Sequence, residues 1–153
     1  MPGYKKHLTV GLVTGIVLLL ITGFYYTTSG ILCGRWLIFS LLGSLFPDVD
    51  TKSKGQLLFY RLALGISLIL ILTRQWISSS LLGFCALLPL VVHHRGLFHR
   101  AWFIIGLAIG VGLLCCRWAP QERFRSGVDA LFFMIGALSH VVLDMGWRRT
   151  FRF

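Results

Sequence analysis

Histidine and aspartate side chains are the residues of this sequence that could bind a metal ion or move a proton, and they are few. The chain of 153 residues has five histidines and five acidic residues. Most of them fall into four short stretches. These stretches are KKHL with His7, LFPDVD with Asp48 and Asp50, HHRGLFH with His93, His94 and His99, and LSHVVLD with His140 and Asp144.

His140 and Asp144 are four residues apart in an apolar segment. On a helix they project from the same face, one turn apart, because residues i and i+4 are neighbours there. An imidazole and a carboxylate in this arrangement can hold one metal ion between them. The alternative is a buried pair joined by a hydrogen bond.

Asp48 and Asp50 follow Pro47, which cannot continue a helix interior without loss of a hydrogen bond. Two aspartates two residues apart can converge in an extended turn. Nearby carboxylates repel each other unless a cation or a proton lies between them, so the pair predicts a cation site. Taken alone, the pair is equally typical of a solvated turn or a helix cap.

His94 and His99 flank Arg95 and Gly96. Glycine permits a tight loop, and such a loop can bring both imidazoles toward one point. His93 is the last residue of an apolar run, and we expect it to bond a backbone carbonyl instead. The alternative for the whole stretch is an interfacial loop whose arginine and histidine side chains contact lipid head groups.

The elements that must position these side chains are apolar helices. The chain is 56% hydrophobic and only 13% charged, which is outside the range of soluble domains and predicts an integral membrane protein. Several apolar segments are shorter than the roughly 20 residues of a perpendicular spanning helix. We expect one all-α domain, residues 1–153, with five to six helices, some of them tilted or re-entrant. The segments are Leu8–Thr27, Ile31–Phe46, Leu57–Thr73, Ile77–Val92, Ala101–Cys116 and Val128–Trp147.

Basic residues account for the net charge of +10, and they lie at the ends of the apolar segments. They do not alternate with aromatic residues along a stripe, so a nucleic-acid partner is not indicated. With six crossings and a cytoplasmic N-terminus, ten lysines and arginines fall on the inner side and five on the outer side. Lysine and arginine accumulate on the cytoplasmic side, so this topology is favoured. The inner set is Lys5, Lys6, Lys52, Lys54, Arg61, Arg95, Arg100, Arg148, Arg149 and Arg152, and the outer set is Arg35, Arg74, Arg117, Arg123 and Arg125.

This topology brings the four His/Asp stretches to one membrane face, the cytoplasmic one. The predicted ligand set contains seven side chains, more than one tetrahedral ion requires. Imidazole mixed with carboxylate suits zinc, manganese or iron better than calcium, and two ions match the number of ligands. The predicted metal ligands are His7, Asp48, Asp50, His94, His99, His140 and Asp144.

Glycines recur in the first and fifth apolar segments. Small residues let helices approach closely in lipid, although glycine is also simply common in membrane helices. Either interpretation fits Gly11, Gly15 and Gly23 in the first segment, and Gly106, Gly110 and Gly112 in the fifth.

The same stretches resemble the YdjM-type family of inner-membrane metal-dependent hydrolases over nearly the whole chain. LFPDVD is similar to the family's L-P-D-x-D turn, HRGLFH to its H-R-G-x-T-H loop and LSHVVLD to its S-H-x-x-x-D helix. The resemblance implies metal-ligand or catalytic roles for the histidines and aspartates of these motifs, and His7 stands for an early family histidine. The sequence departs from the pattern at Thr51, Phe98 and Arg100, positions where the family often has histidine, threonine and serine.

These features predict a hydrolase of phosphoesters in the inner membrane, with a lipid-linked substrate. A divalent ion, zinc or manganese, would activate water, Asp50 would orient or deprotonate it, and Arg95, with Arg100, would bind the phosphate. Two other functions stay open. One is a metal-binding or transport protein without catalysis, and the other is a structural membrane protein whose histidines stabilise loops.

Overall fold

The chain folds into helices alone over all the residues that the structure describes. A computed structural model describes residues 3–25, 29–50, 54–91, 97–118 and 120–150. Short 3-10 turns at Phe46–Asp50 and Pro120–Glu122 interrupt the α-helices. The helices are α1 (Tyr4–Tyr25), α2 (Gly30–Leu45), α3 (Lys54–Leu72), α4 (Trp76–Val91), α5 (Ala101–Trp118), α6 (Arg123–Met145) and the short α7 (Trp147–Thr150). The predicted all-α fold is confirmed.

Four segments are long and apolar enough to cross a membrane, and they lie in α1, α2 with its 3-10 extension, α3 and α6. Their bounds are Tyr4–Gly23, Gly30–Val49, Lys54–Leu72 and Phe124–Met145. The apolar parts of α4 and α5 are shorter, at Ser79–Leu88 and Ala101–Arg117. Large apolar side chains such as Ile31 and Leu72 are more than 80% exposed, which suits a surface that faces lipid. The chain is therefore a helical membrane bundle.

Helices α2 and α6 form the centre of the bundle and run parallel, with a nearly constant offset along the sequence. Near their first residues, Arg35 of α2 pairs with Asp129 of α6, 94 residues away. Near their last residues, the carbonyl of Ser44 meets His140, 96 residues away. Because this difference in residue number hardly changes along the two helices, the residues that follow Ser44 lie beside those that follow His140.

The close approach of α2 and α6 depends on two glycines. A Cβ atom on Gly136 would lie 2.0 Å from the carbonyl oxygen of Ser40, and one on Gly43 would lie 2.0 Å from that of Phe133. No side chain fits at such distances, so only glycine allows this contact. Neither glycine belongs to the two segments for which the sequence analysis considered close packing.

Helix α1 packs antiparallel against α2, with two of its glycines against serine side chains of α2. A Cβ on Gly11 would meet the Ser44 side chain at 2.5 Å, and one on Gly15 would meet that of Ser40 at 2.9 Å. The Ser40 hydroxyl also donates a hydrogen bond of 2.8 Å to the carbonyl of Gly11. Of the two interpretations left open by the sequence, close packing applies to these two glycines. Gly23, Gly106 and Gly110 have open surroundings, and Gly112 makes ordinary van der Waals contact.

Phe46 fixes the end of α2 against the rest of the bundle. Its ring is fully buried and lies 5.3 Å from Phe98, 5.2 Å from Phe133 and 5.9 Å from Phe59, measured between centroids. These rings come from α3, α6 and the segment before α5. The adjoining Pro47 ends the α-helix as predicted, and the chain continues as a 3-10 turn that carries Asp48. The turn is therefore held on its apolar side by aromatic packing.

Candidate functional site

Four predicted ligands from three distant parts of the chain meet at one end of the bundle. Asp48 comes from the 3-10 turn after α2, and His99 lies two residues before the start of α5. His140 and Asp144 lie in the last turns of α6. One ligand atom from each of these four side chains lies within 4.8 Å of the other three. We call this group the His/Asp cluster.

His140 is held by the close contact between α2 and α6. Its side chain is fully buried, and its Nδ1 lies 2.6 Å from the carbonyl oxygen of Ser44. A carbonyl only accepts hydrogen bonds, so Nδ1 carries the proton and Nε2 keeps its lone pair in the neutral ring. Nε2 is buried and makes no hydrogen bond with any described residue. The His140 ring thus presents the lone pair of Nε2, which can bind a metal ion, to the cluster.

Asp144 is the carboxylate around which the imidazoles gather. Its side chain is only 5% exposed, and its Oδ2 lies 3.4 Å from Nε2 of His140 and 3.8 Å from Nε2 of His99. The first distance follows from their positions four residues apart on α6, as the sequence predicted. Helix α6 ends directly afterwards at Met145, and Gly146 turns the chain with a positive φ of 74°. Asp144 therefore stands at the tip of the helix.

Asp48 and His99 form the accessible side of the cluster. Asp48 Oδ1 lies 3.5 Å from Nε2 of His140 and 4.0 Å from Nε2 of His99. The two side chains are 23% and 19% exposed, whereas His140 is fully buried. The cluster is closed on the α6 side and open on the side of the 3-10 turn.

His7, another predicted ligand, lies against the cluster from α1. Its ring is 1% exposed and stacks on that of His140, with 3.7 Å between centroids. Its Nε2 lies 3.4 Å from Oδ1 of Asp144, the second oxygen of that carboxylate. The packing of Gly11 on Ser44 explains this position, because α1 and α2 run antiparallel. His7 lies one helical turn before Gly11 and Asp48 one turn after Ser44, so both lie at the same end of the bundle.

Three other predicted site residues cannot be placed in the cluster. Asp50 ends the 3-10 turn, but its side chain lies outside what the structure describes. His94 and Arg95, with the spare His93, belong to residues 92–96, which are also outside the described residues. Their roles stay predictions.

The comparison with protein families decides which family this is. A family model described as YdjM inner membrane protein matches residues 1–153. The chain belongs to the YdjM family. No curated protein and no solved structure matches it. The resemblance stated from the motifs is therefore confirmed over the whole length, and the chain is an inner membrane protein of this family.

Two of the three positions at which the chain departs from the YdjM motif pattern lie among the residues that the structure describes. Phe98 is fully buried and packs edge-to-face on Phe46 and on Phe103, at 5.3 and 5.2 Å between centroids. A threonine there would give up these contacts, so in this chain the loop before α5 is held by aromatic packing. Arg100 is exposed beside His99, and Thr51 lies outside the described residues.

The sequence analysis missed one ionic contact, the pair between Arg35 and Asp129. Arg35 donates to both carboxylate oxygens, and its Nε lies 3.2 Å from Oδ1. Asp129 is buried, while Arg35 is about one quarter exposed. The available signal was an acid within the first turns of the sixth apolar segment, where an ionisable residue needs a partner. This pair lies at the opposite end of α2 and α6 from the His/Asp cluster.

Proposed function

We propose that the protein is a membrane-bound metal-dependent hydrolase of phosphoesters, with its metal ligands in the His/Asp cluster. The proposal rests on one observation above all. The Nε2 atom of His140 is buried without a conventional hydrogen bond, and one ligand atom from each of the four cluster side chains lies within 4.8 Å of the other three.

The distances within the cluster suit a cation better than direct hydrogen bonds. Imidazole and carboxylate atoms joined by a hydrogen bond lie about 2.7–3.2 Å apart. The four imidazole–carboxylate distances in the cluster are 3.4, 3.5, 3.8 and 4.0 Å. Ligands of a tetrahedral ion at about 2.0–2.1 Å stand roughly 3.3 Å from one another. The donor set and its spacing therefore fit a zinc or manganese ion after small movements of the side chains.

Each residue has a definite part in holding the ion. His140 offers Nε2 because Ser44 fixes the proton on Nδ1, and Asp144 offers Oδ2 from the tip of α6. Asp48 and His99 complete the group from the accessible side. Asp144 Oδ1 points to His7, so this carboxylate can serve two ions at once, His7 being a ligand of the second. Asp50 and His94 are the remaining predicted ligands of that second ion.

A divalent ion held by Asp48, His99, His140 and Asp144 would make water a stronger acid near neutral pH and would offset negative charge on phosphoryl oxygens. Asp50 accepts the proton of the attacking water, and Arg95 binds the phosphate with its planar fork of donors. Water then replaces the alcohol at phosphorus, and the products are an alcohol and a phosphate. A site at the membrane surface favours a lipid phosphoester as the substrate.

The open side of the cluster favours an enzyme over a protein that only stores or transports a metal. Structural metal sites are closed by protein ligands, whereas catalytic sites keep a position for water or substrate. Asp48 and His99 are both about one fifth exposed, which leaves such a position. A transport path would also need ionisable groups at mid-membrane. The buried acid Asp129 instead lies at the far end of α2 and α6, where it is paired with Arg35. We infer a cytoplasmic site from the six-crossing topology, in which ten lysines and arginines fall on the side of the His/Asp stretches and five on the other.

Metal content and phosphoester turnover test this proposal together. Detergent-purified protein should retain zinc or manganese, and turnover of phosphatidic acid should stop with a chelator and return with the metal. Asp48→Asn and His99→Ala should lose metal while the protein stays folded, because they remove ligands at the open edge. Asp129→Asn is the matched control, since it removes a buried carboxylate from the other end of the bundle and should keep the metal.

The same experiment can contradict the proposal in two ways. Wild-type protein that stays metal-free after incubation with zinc and manganese would exclude the metal site. Loss of folded protein without loss of metal in Asp48→Asn and His99→Ala would show that these residues have structural roles.

A further inference from the structure

Arg61 is a cation on the side of α3 that faces away from the rest of the bundle. The buried residues of α3 are Gly55, Phe59 and Ala63, whereas Arg61 is exposed. Successive residues of an α-helix are about 100° apart, so Arg61 lies roughly 160° around the helix from both Phe59 and Ala63. Its side chain therefore starts on the surface opposite to the one that packs on the protein.

The residues around Arg61 form an apolar surface that suits contact with lipid. Leu57 and Leu64, one turn before and one turn after Arg61, are 54% and 63% exposed, and Leu68 is 53% exposed. Helix α3 is also one of the segments that are long and apolar enough to cross a membrane. Ionisable residues in such segments are rare and almost always face the bundle interior or a water-filled cavity. An arginine on the outer surface of α3 therefore needs an anion from outside the protein.

The position of Arg61 along α3 places its charge near the lipid head groups. The 19 residues of α3 extend about 28 Å, close to the roughly 30 Å of a hydrocarbon core. Arg61 follows Lys54, the first residue of α3, by seven residues, or about 10 Å. Helical side chains lean toward the helix N-terminus, which is here the nearer membrane face. The guanidinium can thus reach up to the head groups while its apolar stem lies along the helix.

No carboxylate pairs with Arg61 among the side chains that the structure describes. Asp48 and Asp144 belong to the His/Asp cluster, and Asp129 pairs with Arg35 at the other end of the bundle. Lys54 is exposed and lies two turns from Arg61 on the same side of α3, so its charge adds to that of Arg61. Two cations above an apolar surface are suited to an anionic phospholipid, because basic residues near a membrane attract its head group.

We propose that Arg61 and Lys54 bind the phosphate of an anionic phospholipid on the outer surface of α3, with an acyl chain along Leu64 and Leu68. Gly65 follows Arg61 by one turn, is exposed and has no neighbour within 4 Å, so the chain can lie against the helix below the phosphate. The lipid site is separate from the His/Asp cluster. It does not depend on the proposed hydrolase activity.

Native mass spectrometry tests the phosphate contact by counting the lipids that stay on the protein. The full-length protein is purified in detergent and incubated with equal amounts of phosphatidylglycerol and phosphatidylcholine that carry the same acyl chains. We expect the wild type to retain phosphatidylglycerol in preference. Arg61→Gln should lower the bound phosphatidylglycerol about fivefold, the equivalent of about 1 kcal/mol for one basic residue, and leave bound phosphatidylcholine unchanged.

Arg74→Gln is the matched control, because Arg74 is exposed just beyond the other end of α3 and its loss changes the net charge by the same amount. It should retain as much phosphatidylglycerol as the wild type. A gel-filtration profile reports folding for every variant.

Arg61→Leu separates lipid binding from folding. Leucine suits a surface that faces lipid, so without added lipid this variant should melt at the wild-type temperature or above it. Added phosphatidylglycerol should raise the melting temperature of the wild type and of Arg74→Gln, because a ligand that binds the folded state stabilises it. It should not raise that of Arg61→Leu.

Three results would overturn the inference. Equal retention of the two lipids by the wild type would exclude a site for anionic phospholipid. An equal loss of phosphatidylglycerol in Arg61→Gln and Arg74→Gln would mean that only the net charge matters. A lower melting temperature of Arg61→Leu in the absence of lipid would mean that Arg61 has a partner within the protein. Because no arm measures metal or turnover, the outcome is independent of the hydrolase proposal.

Discussion

A methyl group added at Gly136 should separate α2 from α6 and disturb the His/Asp cluster from one turn away. The new Cβ would lie 2.0 Å from the carbonyl oxygen of Ser40, and ordinary contact begins near 3.4 Å, so the helices must part by about 1.4 Å. If Ser44 and His140 move apart by the same amount, their distance grows from 2.6 Å to about 4.0 Å, which breaks the hydrogen bond. Overpacking costs about 1–3 kcal/mol and the lost bond about 0.5–1.5 kcal/mol.

Gly136→Ala is therefore expected to lower stability by roughly 2–4 kcal/mol and to weaken metal binding, although residue 136 is not a ligand. Thermal melting in detergent and metal content measure the two effects. Gly127→Ala is the matched control on the same helix, because it is exposed with no neighbour within 4 Å and should gain slightly in helix propensity. Equal melting temperatures and metal contents for the two variants would refute the argument that close helix contact holds His140.

Two further predictions concern the packing and the topology. Phe46→Ala should destabilise the protein by about 3–5 kcal/mol, because it empties the centre of the aromatic contacts beneath the 3-10 turn, and a melting curve close to wild type would contradict that role. Cysteines introduced at Lys54 and Gln121, with the native cysteines replaced, should react with a membrane-impermeant reagent from opposite sides of the membrane, the Lys54 side being cytoplasmic. Reaction of both from one side would rule out the proposed arrangement of α3, α4 and α5 as three successive crossings.

The local parts of the site could be predicted from the sequence because they depend on short spacings. His140 and Asp144 are four apart on a helix, and Pro47 ends α2 directly before Asp48. That the distant His/Asp stretches lie at one end of the bundle was predicted from the number of apolar segments and the distribution of basic residues. These inferences use only periodicity and charge, which local sequence carries.

The contacts between helices could not be predicted in the same way. Gly43 and Gly136 are two of 17 glycines, and nothing in the sequence distinguishes them from Gly106 or Gly110, which have open surroundings. Which glycine touches another backbone depends on how each helix is rotated about its axis. The same holds for the partner of Asp129, because several arginines lie at helix ends. The tautomer of His140 depends on a backbone carbonyl 96 residues away.

The number of residues between α2 and α6 also determines when the His/Asp cluster can assemble during synthesis. Ser44 and His140 are separated by 96 residues, which a ribosome needs on the order of 5–20 s to translate at about 5–20 residues per second. Throughout that interval Gly43 and Ser44 have no α6 against them, and Asp48 lacks the two side chains of α6 that join it in the cluster. A chain that stalls or is cut before its last long helix can enter the membrane with five helices in place and still lack the most buried half of the site.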